Sequence, residues 1–311
     1  MFNGFSGLRP GGRPREARRT FPMANKIRKA IITAAGPGQR RLPLQTLTDR
    51  HGEAKPALAI ILDEMLAAGI EQVGLIVSPP DRAAYETVLA TYVKSLVFIE
   101  QATAGGYGHA VLCGREFVGG ESFLLQVSDH LYVSGAEKSC TRQLLDIAET
   151  EACAVSAVQA THESQLRFFG TVAASLRAGR TGLYQIDNVI EKPTPTVAEQ
   201  QCVVAGLRSA HYLCFFGMHV LTPTVFTLLA EEARAMETGA RLGLSPALAR
   251  LAGKEPYLAA ELAGRRSDLE AQFGVLRAQI ALGLNGSTRA EVLALLAEEL
   301  AIDASKTAVR R

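Results

Sequence analysis

The stretch Lys29-Ala-Ile-Ile-Thr-Ala-Ala-Gly-Pro-Gly-Gln-Arg-Arg-Leu-Pro43 decides how this chain is read. An apolar run suited to a buried strand leads directly into Gly36 and Gly38 and ends on Arg40 and Arg41. Glycine has no Cβ, so such a loop lets the backbone approach a ligand and turns successive N–H groups into one concavity, the geometry that holds phosphate. The two arginines add forked, permanently charged donors. A dinucleotide-binding turn wants a third glycine where Arg41 stands, and a Walker loop ends in Gly-Lys-Ser or Gly-Lys-Thr, which is missing. On this segment alone an ordinary strand-ending turn stays open.

Outward from that loop, strand and helix patterns alternate. The first strand is expected over 27–33. Pro56 sits where a helix starts, and Leu58, Ile61, Leu62, Met65 and Leu66 share one face before Gly69 closes it. Strands follow at 73–77, 96–101 and 123–127, with a helix over 108–116, and the last strand delivers Ser128-Asp129-His130 at its carboxyl end. Beyond a helix near 137–150, strand-like runs at 154–160, 170–174, 184–192 and 211–220 come in close succession, which predicts antiparallel additions. A Pro/Thr/Gln-rich loop is expected over 193–207, then C-terminal helices, with Thr288 and Glu291 spaced as a capping box. The pattern predicts an α/β fold, a Rossmann-like mixed and mostly parallel sheet with helices on both faces. Ligands of such sheets bind at the carboxyl ends of the strands, where the glycine loop and Asp129 would share a crevice.

Composition narrows the function. At 311 residues, 48% apolar and 21% charged, the chain is that of a globular protein. A net charge of +2 predicts no nucleic-acid partner, and much of the positive charge is local: Arg9, Arg13, Arg15, Arg18 and Arg19 against Glu16 make 1–25 a basic, Gly- and Pro-containing tail expected to be disordered. That tail lacks the continuous apolar core of a secretion signal. No apolar run reaches the roughly 18 to 20 residues that span a bilayer. Five cysteines without a C-x-x-C pair argue against a structural metal site and for a reducing, cytoplasmic setting.

Five separated pieces then occur in a telling order: Ala34-Ala-Gly-Pro-Gly-Gln-Arg40, Glu100-Gln101 followed by Gly106-Tyr-Gly-His-Ala110, Ser128-Asp129-His130, Val189-Ile-Glu-Lys-Pro193 and Gly264-Arg-Arg-Ser-Asp268. Over 26–286, expected to be the catalytic domain with 287–311 as a helical extension, the chain resembles the bacterial UTP:glucose-1-phosphate uridylyltransferases of the sugar-phosphate nucleotidyltransferase family. The resemblance implies the nucleotide-diphospho-sugar transferase type of fold, Mg²⁺ as cofactor, and UTP and glucose 1-phosphate as substrates. It implies that Ala34, Ala35, Gly36, Gly38 and Arg40 cradle the triphosphate and that Gln101 and Gly106 read the base. By the same resemblance Asp129 and Asp268 hold the metal, Lys192 the sugar phosphate and Glu191 the sugar hydroxyls, with Gly170 and Gly217 letting backbone approach the sugar.

Ordinary alternatives stay open at each position: a turn residue for Asp129, a surface charge for Asp268, a solvated ion pair for Glu191 and Lys192, strand bulges for Gly170 and Gly217. The C-terminal helices pack within the subunit or form a homodimer seam, and periodicity does not separate the two.

Three departures from the family pattern stand out. A lysine that reaches the triphosphate is absent from the stretch Leu44-Gln-Thr-Leu-Thr-Asp-Arg-His-Gly52, leaving Arg50 or Lys55 as unaligned substitutes. The second member of the usual Asp-Asp pair is His130, and a glycine expected two residues after Asp268 is Glu270. Losing one oriented cation from such a site costs on the order of 3 kcal/mol of transition-state stabilisation. A nucleotide-sugar-binding regulator with impaired chemistry, or transfer of another base or sugar, is therefore the alternative expectation.

Overall fold

The computed structural model describes residues 26–36, 42–237 and 239–309. In chain order the elements are β1 Lys29–Ala34, β2 Thr46–Thr48, β3 Ala54–Pro56, α1 Ala57–Ala67, β4 Gln72–Val77, α2 Arg82–Val88, β5 Leu96–Glu100, α3 Tyr107–Cys113, α4 Arg115–Val118, β6 Phe123–Val127, β7 His130–Ser134 and α5 Cys140–Glu151. They continue as β8 Ala154–His162, β9 Gly170–Leu176, β10 Leu183–Glu191, α6 Pro195–Gln201, β11 His211–Leu221, α7 Thr224–Ala235, α8 Ser245–Ala252, β12 Tyr257–Glu261, β13 Gly264–Asp268, α9 Gly274–Leu284 and α10 Arg289–Val309.

Nine strands form one sheet in the order β5-β4-β1-β6-β11-β8-β12-β10-β9. Its first part is the parallel half that the alternation foretells: β5, β4, β1 and β6 are all parallel neighbours. The expectation of a mostly parallel sheet is corrected beyond that point. β11 is antiparallel to β6, β8 and β9, and β10 is antiparallel to β12 and β9, so among the described residues the sheet's five antiparallel pairings outnumber its four parallel ones. The physical reason lies in the connections. β9 and β10 are joined by a short turn without a crossover helix, and a parallel pair needs a crossover of a dozen or more residues. A further bridge between Cys214 of β11 and Thr171 of β9 closes β11-β8-β12-β10-β9 into a partly barrel-like ring.

Helices cover both faces, as the alternating pattern requires. Ala30, Ile32 and Ala34 of β1 point into one core cluster with Leu58, Ile61, Leu62 and Met65 of α1 and Leu144 and Leu145 of α5. Ile31 points the other way, into a cluster with Val111 of α3, Phe226 and Leu229 of α7 and Leu248 of α8. The period-2 alternation of a strand buried on both sides dictates this split, and each fully buried Leu or Ile contributes roughly 1.5–3 kcal/mol relative to exposure.

The region expected as a loop over 193–207 contains α6. Pro195 at its start has the fixed φ of a first helical residue, and the Thr194 hydroxyl caps it by accepting from the Val197 N–H at 3.3 Å. Composition pointed to a loop, but the capping chemistry won.

Candidate active site

The carboxyl ends of β1, β5 and β6 open on a cleft of about 570 Å³, whose far wall comes from β9, the end of β10, β11 and the start of α8. Of the residues singled out in the sequence, Ala35, Gly36, Gln101, Gly106, Gly170, Glu191, Lys192 and Gly217 line it. Ala34 is fully buried one step below, its methyl in the core cluster beneath the sheet. Gly38 and Arg40 lie outside the described residues, as does the basic segment 1–25.

At the near end, Gln101 follows β5 and its amide nitrogen donates to the Gly106 carbonyl at 3.1 Å and meets His109 Nδ1 at 2.9 Å. With the nitrogen so committed, Oε1 is the acceptor left to read a ligand edge. Gly106 has φ +101 at the start of α3, and a Cβ there would stand 2.6 Å from the Leu242 carbonyl oxygen. Only glycine fits that crossing.

At the far end, the carboxylate of Glu191 accepts a hydrogen bond from Ser245 Oγ at 2.5 Å, which aims it across the N-terminus of α8. Lys192 takes a left-handed φ of +46 although it precedes Pro193, and its N–H donates to Phe169 O at 3.2 Å. A non-glycine residue in that region costs roughly 1–2 kcal/mol, and the residue before proline is normally extended. Strain of this kind concentrates where function fixes a side chain. Gly170 has no room for a Cβ, which would lie 2.9 Å from the Phe215 ring. Gly217, φ +94, occupies the register shift of β11 between Phe215 and His219.

Asp129 and Asp268 come together on a small ribbon. β7 and β13 are antiparallel, with His130 opposite Asp268, and the Leu269 N–H donates to Asp129 O at 2.8 Å. Asp129 Oδ1 contacts His130 Nδ1 at 2.7 Å. Asp268 Oδ1 accepts from the N–H groups of Glu270 at 2.8 Å and Ala271 at 3.3 Å. The two aspartates do not themselves border the cleft; their chain neighbours His130 and Glu270 do. Burial, reinforced by the negative charges of Asp129 and Asp268, pushes the Glu270 carboxyl above its usual range. Burial is the larger cause and the two aspartates the smaller; as hard oxygen donors, the carboxylates of Asp129 and Asp268 are of the type that suits Mg²⁺. Among the described residues no group of three His, Cys, Asp or Glu side chains forms a ready-made cage.

The two offered substitutes for the absent lysine are elsewhere. Lys55 Nζ is held by Asp49 at 3.1 Å, Glu53 at 3.2 Å and Asp63 at 3.1 Å, and its neighbour Arg50 lines the same separate cavity. The hydrogen bonds that Lys55 donates to Asp63, Asp49 and Glu53 raise its pKa.

Three cleft residues carried no role in the sequence reading. Arg241 lines the cleft beside Gly106, and nothing in its local sequence marks it. Arg266 lies within the Gly264–Asp268 piece, two residues before its aspartate. Its guanidinium sits over the Phe169 ring at 3.6 Å and donates to Phe215 O. Burial lowers its pKa from the ordinary value, and arginine in such a place stays charged. His219 is 3% exposed, and burial pulls its pKa down to about 3. Its Nδ1 meets Ser156 Oγ at 2.6 Å, which in turn meets Tyr257 Oη at 2.5 Å.

The sequence pattern of the nucleotidyl transferase family matches residues 29–265. A UTP–glucose-1-phosphate uridylyltransferase of Bacillus subtilis is 29% identical over 88% of this chain and 96% of its own length. A second such enzyme, from Streptococcus pyogenes, is 30% identical over 82% of this chain and 90% of its own length. Among solved structures, a UDP-glucose pyrophosphorylase from Acinetobacter baumannii superposes with TM-score 0.68 at 23% identity, covering 88% of this chain and 99% of that one. Another, complexed with UDP-glucose, superposes with TM-score 0.65 at 22% identity, covering 82% and 98%.

Proposed function

Because the chain belongs to the nucleotidyl transferase family, we propose that it joins UTP to glucose 1-phosphate, giving UDP-glucose and pyrophosphate. The observation that carries this reading is the spacing of two different recognition ends along one cleft: the Gln101–Gly106 amide pair at one end and the Glu191–Lys192 turn at the other. The first suits a base edge, which needs acceptors and donors in fixed places. The second suits a phosphorylated polyol, with a carboxylate for hydroxyls and an ammonium for phosphate.

In this reaction a phosphate oxygen of glucose 1-phosphate forms a bond to the α-phosphorus of UTP, and the bond from that phosphorus to the β-phosphate bridging oxygen breaks. Pyrophosphate leaves with the electron pair. The nucleophile is already an anion, so no residue need remove a proton. The protein's task is to hold two polyanions in line and absorb their charge. Lys192, fixed by its unusual backbone, meets the sugar phosphate; the glycine positions keep Cβ atoms out of the path. Asp129 and Asp268 would hold Mg²⁺, which when bound supplies positive charge to the phosphate oxygens. The apolar residues exposed on α10, among them Leu295 and Leu300, support a homodimer seam. Among the described residues no helix is long and apolar enough to cross a membrane.

The test is pyrophosphate release from the purified protein with each pairing of nucleoside triphosphate and sugar 1-phosphate. Turnover is expected to be fastest with UTP and glucose 1-phosphate. Absence of turnover with every pair overturns the reading.

A further inference from the structure

Arg266 presents a cation to the cleft, and among the described residues most of its donors are unspent. One N–H donates to the Phe215 carbonyl, the planar group lies over Phe169, and among the described residues no carboxylate sits within ion-pairing distance. A guanidinium carries five N–H donors. Enclosing it without a counter-anion is costly. The aromatic face beneath it offsets part of that cost and also pins the plane, so the remaining N–H groups are held edge-on as a fork. A fork of this kind matches the oxygens of a phosphate.

Its position says which phosphate. Phe169, on which Arg266 stacks, also accepts the Lys192 N–H through its carbonyl, and Gly170 follows it directly. Arg266 therefore flanks the Lys192 end of the cleft, away from Gln101 and Gly106. Lys55 and Arg50 are turned to a separate cavity, so the cleft draws its positive charge from other residues.

Resting on the uridylyl-transfer reading, we propose that Arg266 is a second phosphate-binding residue, gripping the phosphate of the sugar 1-phosphate together with Lys192. The contact persists in the product, where that group becomes the phosphate linked to the sugar.

Titration calorimetry in Mg²⁺ compares UDP-glucose with UMP, which lacks the sugar-linked phosphate, on the wild type, Arg266→Met and Arg266→Lys. For Arg266→Met, UDP-glucose affinity is expected to fall by at least about tenfold, the worth of a charge-assisted hydrogen bond, while UMP affinity stays within about twofold. The KM for glucose 1-phosphate rises with it and the KM for UTP does not. Arg266→Lys keeps the charge but loses the fork, and shows the same selective loss to a smaller degree; it carries the comparison if the methionine variant does not fold. Equal losses for both ligands mean a merely structural arginine and overturn the inference, as does no loss for either. A wild type that binds neither ligand overturns the uridylyl-transfer reading as well, so the two failures are distinct.

Discussion

Glu191 and Ser245 are 54 positions apart in the chain, yet the serine hydroxyl donates to the glutamate carboxylate at 2.5 Å and sets its direction in the cleft. A hydrogen bond to a charged acceptor contributes about 1.5–3 kcal/mol. In Ser245→Ala the carboxylate loses its anchor, and the KM for glucose 1-phosphate is expected to rise about tenfold while the KM for UTP holds. Steady-state kinetics with each substrate varied in turn checks this.

A second expectation concerns Gly217. A Cβ at this site would stand 2.7 Å from the Tyr132 hydroxyl, and φ +94 disfavours any side chain. Gly217→Ala is expected to cost about 1–3 kcal/mol, read as a lowered Tm. Among the described residues the Tyr132 hydroxyl has no hydrogen-bond partner. Tyr132→Phe alone should leave stability nearly unchanged, and combined with Gly217→Ala it should recover part of the loss by removing the steric share while the backbone share remains.

His219 makes stability depend on pH. Burial holds the folded imidazole neutral, with its pKa depressed from 6.5 to about 3. Below pH 6.5 the unfolded chain takes up a proton that the folded chain refuses, so stability is full above 6.5 and declines as pH falls toward 3, by up to about 1.4 kcal/mol per pH unit. His219→Gln, which keeps a partner for Ser156, is expected to flatten the slope of Tm against pH between 6 and 4. An unchanged slope refutes the assignment.

The charge of Asp268 is separable from its turn. Its Oδ1 accepts two backbone N–H groups, and an asparagine oxygen accepts the same bonds. Asp268→Asn should therefore fold with wild-type circular dichroism yet lose on the order of 100-fold in kcat, about 3 kcal/mol of transition-state stabilisation, and need more Mg²⁺ for half-maximal rate.

The sequence carried the parallel half and the cleft ends because both are written in local patterns. Glycines follow Gln101 at 105 and 106, a proline follows Lys192, and apolar runs alternate with helical periods. What was illegible depends on distant partners. No local signal shows that Cys214 bridges to Thr171, that Arg241 reaches the neighbourhood of Gly106, or that Ser156 and Tyr257 meet beneath His219. Lys55 shows the converse: its charge suggested a phosphate ligand, and only the fold reveals three carboxylates around it.

β11 borders β6 of the parallel half and also β8 and β9 of the ring. Both halves of the molecule thus share one strand, with the Gly217 irregularity between the residues that pair with β6 and the one that meets β9. Two jaws joined through a shared strand are tied more closely than plates on a free linker, so entry and exit of substrates would fall to the segments along the mouth. The separation between the proposed base-reading and sugar-holding ends would then act as a built-in ruler, and molecules would be sorted by how well they span it.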